Sequence, residues 1–388
     1  MVSIDGGIGV PSGSTLNYIV PDISKIASFL SIYNDPLVSN RSEREVEETD
    51  KGVFFQTDFN TDVANMTFRG NVGIRYAQTE VVSKGWQTVS TAGVVSYNYV
   101  TANNDYDDVL PSFNLALEPR EDVVIRLGAA KVMSRPTLGD LTPGGSVSPT
   151  TRTVSYGNPQ LDPFRATNYD FSIEWYFQNE GLLAAAVFYK DIDSFITSVT
   201  EPIVWSDLGL PNDLLQGAAQ PSDIFQVTRR LNGTGGALKG LEIQYQQPFT
   251  FLPGAWSNFG FIGNLTFVES EVDYGAAGKG RLTGQSNNTY NATLYYQAGS
   301  FQARVSAAHR GQYLVSFPGS NGNSNEGVNP TTNIDASMSF DIRPNLTFSL
   351  EGINLTDEYT DRYVDATDRV SDYRHTGREV AVGLRWKY

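Results

Sequence analysis

The chain has 388 residues, with 28 Lys and Arg against 43 Asp and Glu and a formal charge of −15; no basic run offsets that balance, which excludes nucleic acid as a partner. Cysteine is absent, so disulfides, thiolate chemistry and zinc ribbons are excluded. Aromatic residues make up 12% of a chain whose mean hydropathy is −0.28, so apolar and polar residues must interleave, and no run of about 18 apolar residues offers a membrane-spanning helix.

Residues 1–45 show no alternation. Residues 1–11 lack the basic and apolar regions of a signal peptide, which leads us to expect a fragment of a longer protein. Ile23, Ile26, Phe29, Leu30 and Tyr33 follow Pro21 and Asp22 at loosely helical spacing. This predicts a short helix within a surface loop over 1–45.

From residue 46 to 388 the period becomes two. Val72, Ile74 and Tyr76 alternate with Asn71, Gly73 and Arg75, and Phe113, Leu115 and Leu117 alternate with Asn114, Ala116 and Glu118. Tyr169, Phe171, Ile173, Trp175 and Phe177 share one face, with Asp170, Ser172, Glu174 and Tyr176 on the other. The same pattern recurs at Leu241–Ile243–Tyr245, at Phe259–Phe261–Leu265–Phe267, and at Ile334–Ala336–Met338–Phe340–Ile342. It predicts about thirteen strands, each long enough for a tilted bilayer crossing of about 9–11 residues.

The connections alternate as well. Tight ones fall near 60–65, 119–122, 178–181, 248–255, 297–300 and 342–345; long polar ones fall near 80–106, 134–165, 197–236, 271–286, 312–331 and 356–376. Short turns at one end and long loops at the other are the asymmetry of an outer-membrane barrel, with periplasmic turns and extracellular loops. A Greek-key sandwich has no reason to keep it. The fold class predicted is all-β, an antiparallel up-and-down transmembrane β-barrel.

The last strand puts Val380, Val382, Leu384, Trp386 and the terminal Tyr388 on one face. This resembles the C-terminal signature of outer-membrane proteins, which the barrel-assembly machinery reads; Tyr stands where Phe or Trp is usual. Two internal blocks resemble the barrel of TonB-dependent receptors. One is Ser134-Arg135-Pro136 followed by Tyr156-Gly157-Asn158-Pro159-Gln160-Leu161-Asp162-Pro163 and Phe188-Tyr189-Lys190-Asp191-Ile192. The other is residues 350–357 (LEGINLTD) with the closing strand. The wording is similar to the proteobacterial subgroup linked to oligosaccharide or siderophore uptake.

The resemblance implies the C-terminal portion of a 22-stranded barrel, its plug and energy-coupling box lying upstream, in the outer membrane of a Gram-negative bacterium. It also implies as partners the membrane lipid, the assembly machinery, the inner-membrane TonB complex and a small ligand. Active uptake of a scarce oligosaccharide or ferric siderophore is the leading function. A passive porin-like barrel and a secreted all-β carbohydrate-binding or adhesin protein stay open beside it.

Enzymatic chemistry finds little footing. His309 and His375 are the two histidines and no G-x-S-x-G elbow occurs, so neither a catalytic site nor a cofactor or resident metal is expected. Asp107/Asp108 and Asp191/Asp193 read as solvated charge at loop–strand junctions, and residues 103–108 read as a solvated loop edge with the oxygen density, but not the spacing, of a calcium loop. Ligand binding would fall to loop and lumen groups: Trp205, Tyr274 and Tyr313 as aromatic planes, and Arg310 as an anion partner. Girdle aromatics are the competing reading for such residues.

Overall fold

The computed structural model describes residues 2–3, 17–18, 43–91, 94–177, 180–275 and 278–388. Val2–Ser3 pairs with Asn17–Tyr18; the helix expected over 23–33 lies outside the described residues. The rest is built on long antiparallel strands: β1 (Arg44–Val63), β2 (Met66–Thr91), β3 (Val94–Arg120), β4 (Val123–Ser134), β5 (Phe164–Phe177), β6 (Gly181–Val204) and β7 (Gly236–Pro248). They continue as β8 (Phe259–Asp273), β9 (Asn288–Ala298), β10 (Phe301–Arg310), β11 (Thr331–Arg343), β12 (Leu346–Ile353) and β13 (Glu379–Trp386).

Each strand pairs with the next in sequence, from β1·β2 to β12·β13. The fold is therefore the up-and-down antiparallel sheet that the alternation predicts. Among the described residues no ladder joins β13 back to β1, so the sheet is open. An odd number of up-and-down strands brings its two ends together parallel, whereas an even number would close antiparallel.

Tight turns collect at one end. Ala64 and Asn65 both adopt left-handed backbone, φ 53° and 62°, the two-residue turn whose twist suits a hairpin. Gly299, at φ 55°, makes the turn between Ala298 and Phe301. At the other end the loops are long, but two of them are largely strand: within 197–236, β6 runs on to Val204 and pairs with Ile224–Gly233. Residues 80–106 are not a loop: β2 and β3 stay paired out to Thr91 and Val94. Backbone ladders need no strict alternation, so the hairpin continues where the alternation ends, with polar residues mixed among Val81, Val82, Trp86 and Tyr99. The same ladder carries residues 103–108, which are strand and not a loop edge.

The register sorts the side chains into two faces. Leu115, Leu127, Phe171, Val187, Leu241, Phe267 and Tyr290 lie on one side, and neighbouring rows on the other hold Asn71, Asn114, Gly128, Asp170 and then Arg69, Arg126, Ser172 and Glu242. On the apolar face Tyr169, Phe171, Ile173 and Trp175 are 41–52% exposed. Among the described residues no second layer covers them, as one would in a soluble sandwich. Aromatics on that face gather at the turn end: Trp175 lies 4.9 Å from Phe177, Phe177 6.3 Å from Tyr245, Tyr245 6.1 Å from Phe261, and Phe259 4.8 Å from Tyr296. Such a band is the interfacial girdle of a transmembrane barrel.

Buried apolar clusters sit at the loop end. One joins Val154, Trp205, Leu215, Phe225 and Val227; a second joins Ala166, Ile192, Phe195, Val272 and Tyr274; a third joins Val81, Tyr106, Leu141 and Leu161. The loops therefore pack as folded caps with cores of their own.

Candidate functional site

The block 158–163 is where the loop end is tied together. Asn158 donates through Nδ2 to the Arg230 carbonyl (3.1 Å) and accepts from the Gln160 N–H (2.9 Å). Leu161 is fully buried, and its carbonyl accepts from Asn104 Nδ2 on β3 at 3.2 Å. The Asp162 N–H donates to Asn232 Oδ1 and its carbonyl accepts from Asn232 Nδ2, at 3.0 and 2.9 Å. Ser194 Oγ on β6 donates to the Pro163 carbonyl at 2.7 Å. Pro159 and Pro163 push Asn158 and Asp162 towards extended backbone, which leaves their polar groups free to bond sideways. The proline block pins the 134–163 loop to β3, to β6 and to residues 230–232.

Two ion-pair groups stand beside it. Arg165 meets Asp108 at 2.6 Å, and Asp108 is buried to 6% exposure. Its reading as solvated charge is thereby corrected: the carboxylate is a buried partner that anchors the start of β5 to β3. Arg135, from the Ser-Arg-Pro block, pairs with Asp50 at 2.6 Å and donates to Thr79 Oγ1 at 3.0 Å.

The four candidate ligand residues divide into two pairs. Trp205 is fully buried, 4.8 Å from the Phe225 ring, and donates from Nε1 to Asn212 Oδ1 at 3.2 Å. Tyr274 is 4% exposed, sits between Phe195 and Phe317, and donates from its hydroxyl to the Arg281 carbonyl at 2.9 Å. Both rings face protein and hold their loops together. Arg310 and Tyr313 are together, the guanidinium 3.6 Å from the ring centroid. Arg310 donates from Nε to Ser286 Oγ (3.1 Å) and from Nη2 to the Gly284 carbonyl (2.8 Å). Arg310 pairs with Thr289 and Thr331 in register and stands at the loop end of the polar wall.

Elsewhere on the sheet, across β1 to β7, a hollow of about 770 Å³ is lined by Asn114, Arg126 and Glu242 of the polar face together with Leu115, Leu127 and Phe171 of the apolar face. Arg126 meets Glu174 at 2.7 Å, Arg69 pairs with Glu118, and Asn114 donates to Asn71 at 3.0 Å. Such satisfied pairs make a hydrated wall. Along β13, Val380, Val382, Leu384 and Trp386 lie on the apolar face, from Val380 beside Gly352 near the loop end to Trp386 beside Leu346 at the turn end; each is 68–70% exposed, with Tyr388 just beyond.

The family model described as "TonB dependent receptor-like, beta-barrel" matches residues 9–355. The chain belongs to the TonB-dependent receptor family. Solved structures share its fold. The ferric yersiniabactin uptake receptor FyuA from Yersinia pestis aligns with TM-score 0.55 at 16% identity, over 89% of this chain and 47% of that one. The siderophore receptor PiuA from Acinetobacter baumannii gives 0.51 at 12%, over 88% and 56%. The ferric enterobactin receptor PfeA from Pseudomonas aeruginosa, as a mutant in complex with enterobactin, gives 0.51 at 14%, over 87% and 54%. The chain thus spans about half the length of these receptors. A search of curated proteins gave no match.

Within this TonB-dependent receptor barrel, two local arrangements were not visible in the sequence. Asn354, in the LEGINLTD block, is a buried hub for the loop that follows it; an Asn before Leu-Thr-Asp was its available signal. The exposed cluster of Tyr359, Tyr373 and His375, with ring centroids 4.8–6.3 Å apart, comes from positions up to 16 residues apart in sequence. Tyr359 and His375 flank the short strands Thr360–Val364 and Ala366–Arg374, and Tyr373 lies in the second.

Proposed function

We propose that this chain forms barrel wall and extracellular loops of a TonB-dependent receptor of a Gram-negative outer membrane, which takes up a scarce oligosaccharide or ferric siderophore. The observation that carries this reading is the unbroken apolar face, open to solvent in isolation and edged by aromatics, above which long loops fold into caps. Lipid is the partner that suits such a face, and the same openness weighs against the secreted adhesin. The siderophore receptors that share its fold favour the ferric ligand; the oligosaccharide rests on sequence wording.

In this reading the row Val380 to Tyr388 is presented to the barrel-assembly machinery. Energy reaches the receptor from the inner-membrane TonB complex, which also separates it from a passive porin-like barrel. Arg310 and Tyr313 recognise the ligand at the top of the polar wall, the guanidinium pairing with acidic groups and the ring stacking. The test is uptake by cells carrying the receptor, with ferric enterobactin and labelled oligosaccharides as probes, in the presence and absence of TonB. TonB-dependent uptake of one probe class, weakened about tenfold by Arg310→Ala, is expected for a charge-assisted contact of roughly 1.5 kcal/mol. Uptake that is unchanged without TonB would support a passive barrel instead.

A further inference from the structure

We propose that the turn between β7 and β8, residues 249–258, docks on phospholipid, laying Phe251 and Trp256 at the headgroup–acyl boundary of the periplasmic leaflet. This rests on the reading above that the apolar face meets lipid, and carries that contact past the ends of the strands. From Ile243 to Val268 the chain holds no Asp, Glu, Lys, Arg or His. That stretch covers the whole turn and the adjoining parts of both strands. Three other turns at the same end do hold charge: Asp62 beside Ala64 and Asn65, Arg120 paired with Asp122 at 3.1 Å, and Arg343 before Leu346. Those charges belong in water; the β7–β8 turn has none to keep there.

The turn is built to hold its shape. The Phe249 N–H donates to the Phe259 carbonyl and the Leu252 N–H to the Phe249 carbonyl, both at 2.8 Å. Gly254, at φ 60°, opens a short 3-10 helix over Gly254–Asn258, and Ser257 Oγ donates back to the Gly254 carbonyl at 2.7 Å. Asn258 Nδ2 donates to the Tyr296 hydroxyl on β9 at 3.4 Å. A segment ordered in this way loses little conformational freedom when it meets a surface.

Its rings continue the apolar face. Phe249 lies opposite Phe259, in the row of Leu241, Tyr245 and Phe267. Phe251 is 5.9 Å from Phe249, and Trp256 is 5.6 Å from Phe259 with the two rings 28° apart. Yet Phe251 is 62% exposed and Trp256 65%, so each ring touches the girdle on one side and is left uncovered by the described residues on the other. Continuity with the girdle selects lipid over a periplasmic protein as the occupant. An indole, apolar in body with one N–H donor, suits the boundary between headgroup and acyl chain. With no Lys or Arg in the turn, nothing draws it to anionic headgroups, and docking should be indifferent to lipid charge.

The test uses the receptor purified from outer membranes, free of cysteine elsewhere, and reconstituted at high lipid excess in vesicles of phosphatidylcholine, with or without phosphatidylglycerol. Ala255→Cys carries a small fluorophore beside both rings; Glu121→Cys and Phe171→Cys carry it on a charged turn and on the strand face. The quenchers are nitroxide lipids, labelled shallow or deep in the acyl chain, and iodide on both sides of the membrane. The label at 255 should be quenched by the shallow lipid in both vesicle types and should lose most of the iodide quenching seen at 121. In the Phe251→Ser/Trp256→Ser variant that pattern should reverse, with heat-modifiable mobility reporting the folded barrel. Iodide quenching at 255 equal to that at 121, a requirement for anionic lipid, or lipid contact that survives the double Ser change overturns the proposal. Shielding from both quenchers would assign the turn to a second copy and overturns it too. In each of these cases deep-lipid quenching at 171 leaves the lipid-face reading standing, whereas its loss sinks that reading and the proposal together.

Discussion

Leu384 and Arg385 are neighbours in sequence on opposite faces of β13. Leu384 pairs with Phe348 on the apolar side and Arg385 with Thr347 on the polar side. A basic residue facing lipid costs roughly 2–4 kcal/mol near the bilayer midplane and less near its edges. Leu384→Arg should therefore reduce the folded, heat-modifiable species in outer membranes more than Arg385→Leu. Equal loss from the two would show that the faces are assigned wrongly. Trp205 tests a different kind of residue. Its indole fills the core of one loop cap, so Trp205→Ala should cost the cap about 3–5 kcal/mol. Proteolysis within residues 134–233 should accelerate while the barrel keeps its heat-modifiability.

Trp205 and Tyr274 mark the limit of what residues reveal one at a time. An aromatic side chain in a polar loop looks the same in sequence whether it awaits a ligand or a partner ring. The partner of Trp205 is Phe225, twenty residues on, and that pairing depends on the loop folding back along the end of β6. Arg310 and Tyr313 were singled out separately, and their contact became visible only in the structure, although they are three residues apart. Asp108 was misread because its partner, Arg165, is remote in sequence.

At the scale of elements the spanning strands were readable and the loops were not. Alternation of apolar and polar residues marks the part of each strand with one face of each kind, and it ends before the strands do. Beyond it β2 and β3 run on with polar and apolar residues mixed, so their 26 and 27 residues could not be distinguished from a long loop. The loops themselves pair across the chain. Tyr313–Ser316, Glu326–Val328, Thr360–Val364 and Ala366–Arg374 form one four-stranded sheet from two separate connections.

Asp365 fastens that sheet. It accepts from the Ser324 N–H at 2.6 Å and from its hydroxyl at 3.1 Å. These bonds, foremost the backbone one, hold its carboxyl below the usual Asp value of 3.8, with Arg369 adding to the effect. A depressed folded pKa means stability that is present above the unfolded value and lost as pH falls through the folded one. The contact between the two loops should thus be intact at neutral pH and loosen below pH 3.8. Hydrogen exchange of residues 320–328, corrected for intrinsic rates, should show that loosening in the unaltered protein. Asp365→Asn should remove the pH dependence; its persistence would assign the effect to another group.

For the whole molecule, the thirteen-strand ladder follows from the period of two and the alternating connection lengths. The two open edges are β1 and β13, the first and last strands of that ladder. What no period could supply was the cohesion of the loop end, where the 158–163 block draws contacts from β3, β6 and residues 230–232. The central claim is that the apolar face meets lipid. Because the chain has no native cysteine, it can be tested by single substitutions along β5, from Tyr169→Cys through Trp175→Cys, each spin-labelled in bilayers. Labels at 169, 171, 173 and 175 should be accessible to oxygen and shielded from a water-soluble nickel chelate, while those at 170, 172 and 174 should show the reverse. A flat profile, or one with the two sets exchanged, would contradict the account.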